Sequence, residues 1–245
     1  MKAPFLLLIF CAALAAQTPA TKAPAKAPAK SPTPAVSSRL MHPELAKAKA
    51  PDLYRVKFTT AKGDFVVEVH RDWAPLGADR FYNLVRTGYF VGDGFYRMVP
   101  SVFVQFGIHP NPAVTKVWST APIKDEPRKQ SNTPGTLVFA AGGPNSRTTQ
   151  VFINFQDNSS QLDSLGFAPI GTVTEGFDVV KNLYGGYGEM KEQGGGGPSQ
   201  QAYSEQGKAY LDKSFPLIDK IVSATVIFPE PAPPAAKKGP ATTKK

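Results

Sequence analysis

FYRMVPSVFVQFG, residues 95–107, and AAGGPNSRTTQVFIN, residues 140–154, carry the reading of this chain. The first is a run of aromatic and aliphatic residues that contains a single arginine, Arg97, and ends in a glutamine and a glycine. The second is a Gly-Pro-Asn loop that runs into a strand with Gln150 and Phe152 two residues apart. Residues two apart on a strand point to the same face. Together the segments describe an apolar cup with few polar handles.

Few reactive groups are available to such a cup. The histidines are His42, His70 and His109, and the one cysteine, Cys11, lies in an apolar run near the amino terminus. No histidine falls in either segment or has a partner at metal-ligand spacing, which argues against a serine or cysteine hydrolase and against a zinc site. Rotation about an Xaa-Pro amide needs no such group. Its barrier, about 18–20 kcal/mol, comes from amide resonance, and no bond has to break. A catalyst needs an apolar slot for the pyrrolidine ring and donors that hold the twisted amide better than the planar one. Phe103, Phe152, Leu162 and Phe167 can build the slot. Arg97 can donate to the proline nitrogen as its lone pair localises, or hold the adjacent carbonyl. Gln105 and Gln150 can fix the substrate backbone or hold the guanidinium.

The two segments resemble the signature of the cyclophilin family of peptidyl-prolyl isomerases. In that family an F-H-R-hydrophobic-hydrophobic-P-x-F-hydrophobic-hydrophobic-Q-G-G stretch carries the essential arginine, and an A-x-A-G-P-N-T-x-x-S-Q-F-F-I stretch the pocket floor. A third stretch, QLDSLGFAPIGTVTEGFDVV at residues 161–180, is similar to the family's W-L-D-x-x-H-x-x-F-G-x-V-x-x-G-hydrophobic-x-V-V, and RFYNLVRTGYFVGDGFYR at residues 80–97 also fits. The likeness covers residues 53–228, with less familiar sequence around 113–129 and 187–210. It implies catalysis by Arg97, a proline slot of Phe103, Phe152 and Leu162, and substrate-backbone contacts at Gln105, Ala141 and Gln150. Val102, Ala140, Gln161 and Phe167 complete the implied substrate-binding set. No cofactor and no metal is expected. The chain departs from the pattern at Val102 (phenylalanine in the family), Ala141 (commonly asparagine), Gln161 (tryptophan) and Phe167 (histidine).

Each residue has a plainer reading. A lone arginine among aromatic residues is more often a surface side chain lying over apolar neighbours, interior phenylalanines are common, and Gly143-Pro144-Asn145 is an ordinary turn sequence. The joint occurrence of three motifs in order favours the functional reading. The glycine runs at 185–188 and 194–197 lack the Gly-Lys-Ser/Thr of a phosphate loop and read as surface loops. Asp163, beside a turn, reads as a turn former.

Of the 245 residues, 1–16 carry Lys2, an apolar core from Phe5 to Leu14 and small residues at 13–16, the pattern of a cleavable export signal. Cys11 as a lipidated residue is disfavoured by the bulky Phe10 before it. Cleavage near Ala15 or Ala16 would leave no thiol, which suits a periplasmic or secreted protein. Residues 17–50 are Ala-Pro-Lys repeats and read as an extended linker; 229–245 read as a tail of the same kind. The net charge of +9 resides in these ends, because 51–228 holds 17 basic and 17 acidic side chains. A nucleic-acid partner is therefore not expected, and the basic ends are expected to touch an envelope polymer only weakly.

Alternating runs at 54–60 and 65–70 predict a hairpin, and 75–87, opened by Pro75 and closed by Gly88, a helix. Short strands are predicted at 94–99, 102–106, 136–140, 151–155, 169–174 and 220–228, a second helix near Phe177, and 211–218 stays ambiguous. The expected fold is mainly β, a closed antiparallel cyclophilin-like barrel capped by two helices, its slot on the outer wall because a small barrel's interior is filled. The expected protein is a monomeric isomerase acting on proline-containing peptides and folding exported proteins. The alternatives are a non-catalytic proline-peptide module or holdase, and a wall-bound structural protein.

Overall fold

The structure, a computed structural model, describes residues 38–228. The signal-like segment 1–16, the linker sequence up to residue 37 and the tail 229–245 lie outside the described residues.

The first hairpin joins β1 (Leu53–Thr60) to β2 (Gly63–His70) with Leu53 opposite His70 and Thr60 opposite Gly63. Along β1, Tyr54, Val56, Phe58 and Thr60 are buried while their neighbours are not, as the alternation in the sequence requires. Helix α1 spans Pro75–Thr87; proline takes its first turn and Gly88, at φ 76°, ends it in the left-handed region that glycine enters without cost. After it come β3 (Arg97–Val99), β4 (Phe103–Phe106), α2 (Pro112–Ser119), β5 (Thr136–Phe139), β6 (Val151–Asn154), α3 (Ser159–Leu162), β7 (Pro169–Glu175), α4 (Phe177–Lys181), α5 (Gln200–Gln206), α6 (Lys208–Ser214) and β8 (Ile221–Phe228).

All eight strands join one antiparallel sheet in the order β3-β4-β6-β5-β7-β2-β1-β8. The expected closed barrel is not what forms: the sheet is curled but open, and its edge strands, β3 and β8, do not pair with each other. What joins the edges is a short backbone seam just before each of them. Gly92 N–H donates to Ile221 O (2.8 Å), Ile221 N–H to Asp93 O (2.9 Å) and Phe95 N–H to Asp219 O (3.1 Å).

Phenylalanines fill the concave side. Phe58 stacks on Phe65 at 4.9 Å and meets Phe90 and Phe106 edge-on, both at 5.8 Å, and Phe81 of α1 closes the layer. With no room for a peptide inside, any binding surface lies on the other face of the sheet.

Two further expectations need correction. There are six α-helices, not two, among the described residues. Helix α2 has a legible start, Asn111 capping the N–H of Ala113 with Pro112 in the first turn. The ambiguous stretch at 211–218 begins as the end of α6. Second, the linker does not extend to residue 50. Leu40 and Ala50 are buried, the Leu40 carbonyl accepts the Trp118 Nε1–H (2.8 Å), and Asn83 exchanges hydrogen bonds with both N–H and C=O of Ala48 (3.1 and 2.7 Å). Leu40 and Met41 give this Ala-rich stretch the apolar anchors that the Ala-Pro-Lys repeats lack, and they join the core beside α2.

Candidate active site

Strand register builds the site. Arg97 of β3 pairs with Gln105 of β4, Gln105 with Phe152 of β6, and Phe152 with Val138 of β5. Directly opposed residues share a face, so these four form a row across the sheet. The alternate set, with Val104, Phe106, Val151 and Ile153, points into the core. Phe103, two residues before Gln105, stands beside the row.

Arg97 is held on several sides. Its Nη1–H donates to Gln105 Oε1 at 2.9 Å, Nε–H to Glu189 Oε1 at 2.5 Å and Nη2–H to Glu189 Oε2 at 2.8 Å, while Cζ lies 4.7 Å from the centre of the Phe103 ring. An arginine carries five N–H donors. Three are taken, which leaves two for a ligand. Burial pushes the Glu189 carboxyl up, yet the hydrogen bonds from Arg97 and from the Met190 N–H, with the Arg97 charge, outweigh it and hold the group below the usual carboxylate range.

Behind the guanidinium lies a buried polar knot. The Tyr96 hydroxyl donates to Gln150 Oε1 (2.5 Å) and accepts from Gln105 Nε2 (2.6 Å), which also reaches Gln150 Oε1 (2.9 Å). Burial pushes the Tyr96 hydroxyl well above its usual pKa, so it stays a neutral donor. Of the two roles open to Gln105, holding the guanidinium is the one it performs here.

The apolar slot adjoins this knot. Phe152 lies 5.5 Å from Phe103 and 5.9 Å from Phe167, ring centre to ring centre. Leu162 ends α3 and Phe167 comes from the turn after it, and a chain of amides pins this segment to the sheet. Asn158 Nδ2 donates to Asn154 Oδ1 (2.7 Å) and to Val102 O (3.1 Å); Asn132 Nδ2 donates to Asp163 Oδ1 (2.8 Å) and to Phe167 O (2.9 Å). Asp163 is thus a turn former. The loop before β6 needs Asn145 at φ 55°, a left-handed position asparagine tolerates, and its side chain and backbone bond to Asp125 (2.9 and 2.8 Å).

A cavity of about 590 Å³ gathers nine of the sequence-predicted residues: Arg97, Phe103, Gln105, Ala140, Ala141, Gln150, Phe152, Leu162 and Phe167. Val102 and Gln161 do not line it. Val102 is one residue out of phase with Phe103, and it serves the fold through its carbonyl, which accepts from Phe155 N–H and Asn158. Gln161 is one helical step round from Leu162 and faces solvent. The cavity also takes in residues that the sequence did not announce. Gly142, Ser146 and Thr148 belong to the loop before β6, and Met190, Gln193 and Gln200 to the glycine-rich stretch after α4. Glu189 lies in that stretch, 92 residues from its partner, and only its charge beside an apolar cup could have drawn notice.

Residues 55–203 match the family model for cyclophilin-type peptidyl-prolyl cis-trans isomerases. A peptidyl-prolyl cis-trans isomerase of Acinetobacter baylyi is 34% identical over 134 residues, 52% of this chain and 70% of the relative. The isomerase cyp18 of Streptomyces antibioticus is 32% identical over 138 residues, 53% of this chain and 82% of that protein. A crystal structure of a Cryptosporidium parvum cyclophilin superposes with a TM-score of 0.49 at 18% identity, covering 71% of this chain and 97% of that one.

Proposed function

We propose how this chain, which belongs to the cyclophilin-type peptidyl-prolyl cis-trans isomerase family and has that family's activity, turns over an Xaa-Pro bond. The proline ring enters the slot between Phe103, Phe152, Leu162 and Phe167. Arg97 then meets the amide with its two unengaged N–H groups, one on each terminal nitrogen. As the amide twists, resonance is lost, the nitrogen lone pair localises, and a donor placed there in advance binds the twisted form better than the planar one. Ala140, Ala141 and Gln150 line the path of the substrate backbone.

The magnitudes are sufficient. Uncatalysed isomerisation takes tens of seconds, and reaching milliseconds needs about 5–6 kcal/mol of transition-state stabilisation. Two hydrogen bonds from a charged donor, at about 1.5–3 kcal/mol each, cover that range. The observation that carries this reading is the guanidinium held by Gln105 and Glu189 at the mouth of an apolar slot, with two N–H groups unspent. A titration with an Ala-Pro-containing peptide followed by NMR tests it. Resonances of Phe103, Phe152, Leu162 and Phe167 are expected to move, and cis-trans exchange cross-peaks of the peptide are expected to appear with catalytic amounts of protein. Shifts confined to another face would refute the assignment.

The setting we propose is the cell envelope, with exported proteins as substrates and the isomerase acting as a monomer. Support comes from the sequence of residues 1–16 and from the loss of the only cysteine on cleavage. The lysine-rich ends read as solubilising segments with weak, salt-sensitive contact to anionic polymer. Fractionation with amino-terminal sequencing of the exported protein tests this. A new terminus near Ala16 or Gln17 in the periplasm is expected, and full-length protein retained in the cytoplasm would overturn it.

A further inference from the structure

We infer that Glu189 is a positioning residue for the isomerisation: it fixes the plane of the Arg97 guanidinium, and the glycine-rich stretch 184–207 exists at this site to deliver it. This rests on the reading of Arg97 as the group that acts on the amide.

Gln105 alone gives Arg97 a single hydrogen bond, about which the guanidinium can swing. The Glu189 carboxylate adds two parallel bonds, to Nε and Nη2, and two such bonds define a plane. It engages the side edge of the fork and leaves one N–H on each terminal nitrogen free. A donor already aimed costs no reorganisation when the amide twists.

The carboxylate is itself aimed by its backbone. Gly188 O accepts the N–H of Met98, the residue after Arg97, at 3.3 Å, so the stretch is tied to the edge of β3 next to its target. Glu189 O accepts the Gly197 N–H at 2.8 Å, and Glu189 Oε1 also accepts the Met190 N–H at 2.7 Å. The glycine run explains how the chain folds so closely round this residue. A Cβ on Gly195 or on Gly197 would collide with the Glu189 carbonyl oxygen. The run that reads in the sequence as a plain surface loop is a cradle for one glutamate.

The cradle is anchored in turn. Tyr203 of α5 is fully buried with Tyr96, Ile108, Leu211 and Ile218; its hydroxyl donates to Asp93 Oδ1 at 3.1 Å and accepts the Gly94 N–H at 3.1 Å. Gln200, at the start of α5, lies 3.4 Å from the Tyr96 hydroxyl. Packing of Tyr203, its bonds to Asp93 and Gly94, and the polar knot all fix the stretch in place. A solvent-side ion pair of ordinary kind contributes little and needs no such support.

The test compares wild type, Glu189→Gln, Arg97→Ala and the double variant in a steady-state isomerase assay on one Xaa-Pro peptide. Glutamine keeps the oxygen that meets Met190 N–H but replaces one acceptor with a donor, which breaks the paired bonds. Glu189→Gln is expected to lower kcat about tenfold with KM within about twofold, and to have no effect in the Arg97→Ala background. Glu189→Asp, which keeps the charge, is expected to recover part of kcat. Unchanged or raised activity of Glu189→Gln would overturn the inference. So would an equal loss in both backgrounds, which marks a structural role, or aspartate no better than glutamine. Wild-type activity in Arg97→Ala would instead refute the role of Arg97.

Discussion

Replacing Tyr96 with phenylalanine removes one buried oxygen from the knot behind Arg97 and leaves the ring in place. The hydroxyl's two short hydrogen bonds disappear, to Gln150 Oε1 and from Gln105 Nε2, together with the long contact to Gln200 Oε1. The direct bond from Gln105 Nε2 to Gln150 Oε1 survives, so neither amide is stranded. At about 0.5–1.5 kcal/mol net for each neutral bond, the loss comes to about 2 kcal/mol. For a domain of this size that lowers Tm by roughly 4–8 °C. The effect on catalysis is expected to be smaller than that of losing Arg97, because Gln105 keeps one anchor and Glu189 still holds the guanidinium. Differential scanning calorimetry gives the first quantity and a protease-coupled isomerase assay the second, with less than a tenfold fall in kcat/KM expected. An unchanged Tm would show that the hydroxyl bonds contribute nothing. A loss of activity as large as that of Arg97→Ala would mean that Tyr96 acts on the substrate itself.

Tyr203→Phe leaves the Gly94 N–H without its acceptor and takes the Tyr203 donor from Asp93 Oδ1, while Asp93 Oδ2 keeps the Gly107 N–H; it is expected to cost about 2 kcal/mol in urea unfolding, and an unchanged midpoint would refute the anchoring role. Leu40→Ala is expected to destabilise by about 2 kcal/mol, whereas a loose linker at this position would give no change in melting. His109 is buried, which pulls its pKa down to about 4. The unfolded chain therefore takes up a proton below about pH 6.5 that the folded one refuses until about pH 4. The stability tied to this histidine is complete above that window and is lost as pH falls through it, by up to about 3 kcal/mol. His109→Gln is expected to flatten the stability profile between those limits, and coincident profiles for the two proteins would refute it.

What the sequence made legible follows from local physics. The hairpin of β1 and β2 and the bounds of α1 are written in alternation, a proline and a glycine, and the structure keeps them. The slot was legible because Phe103, Gln105 and Phe152 sit on short strands where phase alone assigns a face, and Gln150 immediately precedes β6. Val102 and Gln161 show the limit of carrying a motif over position by position, since each is one residue out of phase with the wall it was expected to join. The stretch 184–207 was opaque for a different reason. Its glycines carry no periodicity, and their purpose is visible only once Gly195 and Gly197 are seen to wrap Glu189. Leu40 and Met41 were hidden by the Ala-Pro-Lys composition around them, and with the hydrogen bonds of Leu40, Ala48 and Ala50 to Trp118, Asn83 and Asp79 they hold this segment on α1 and α2.

The most direct test of the account is kcat/KM of Arg97→Ala on a single Xaa-Pro peptide, measured beside wild type with circular dichroism as a check on folding. The side chain sits at the mouth of the slot rather than in the core, so the fold is expected to persist. A fall of about a hundredfold or more, equivalent to about 2.7 kcal/mol of transition-state stabilisation, is the result this mechanism predicts, and a folded variant within twofold of wild type would contradict it.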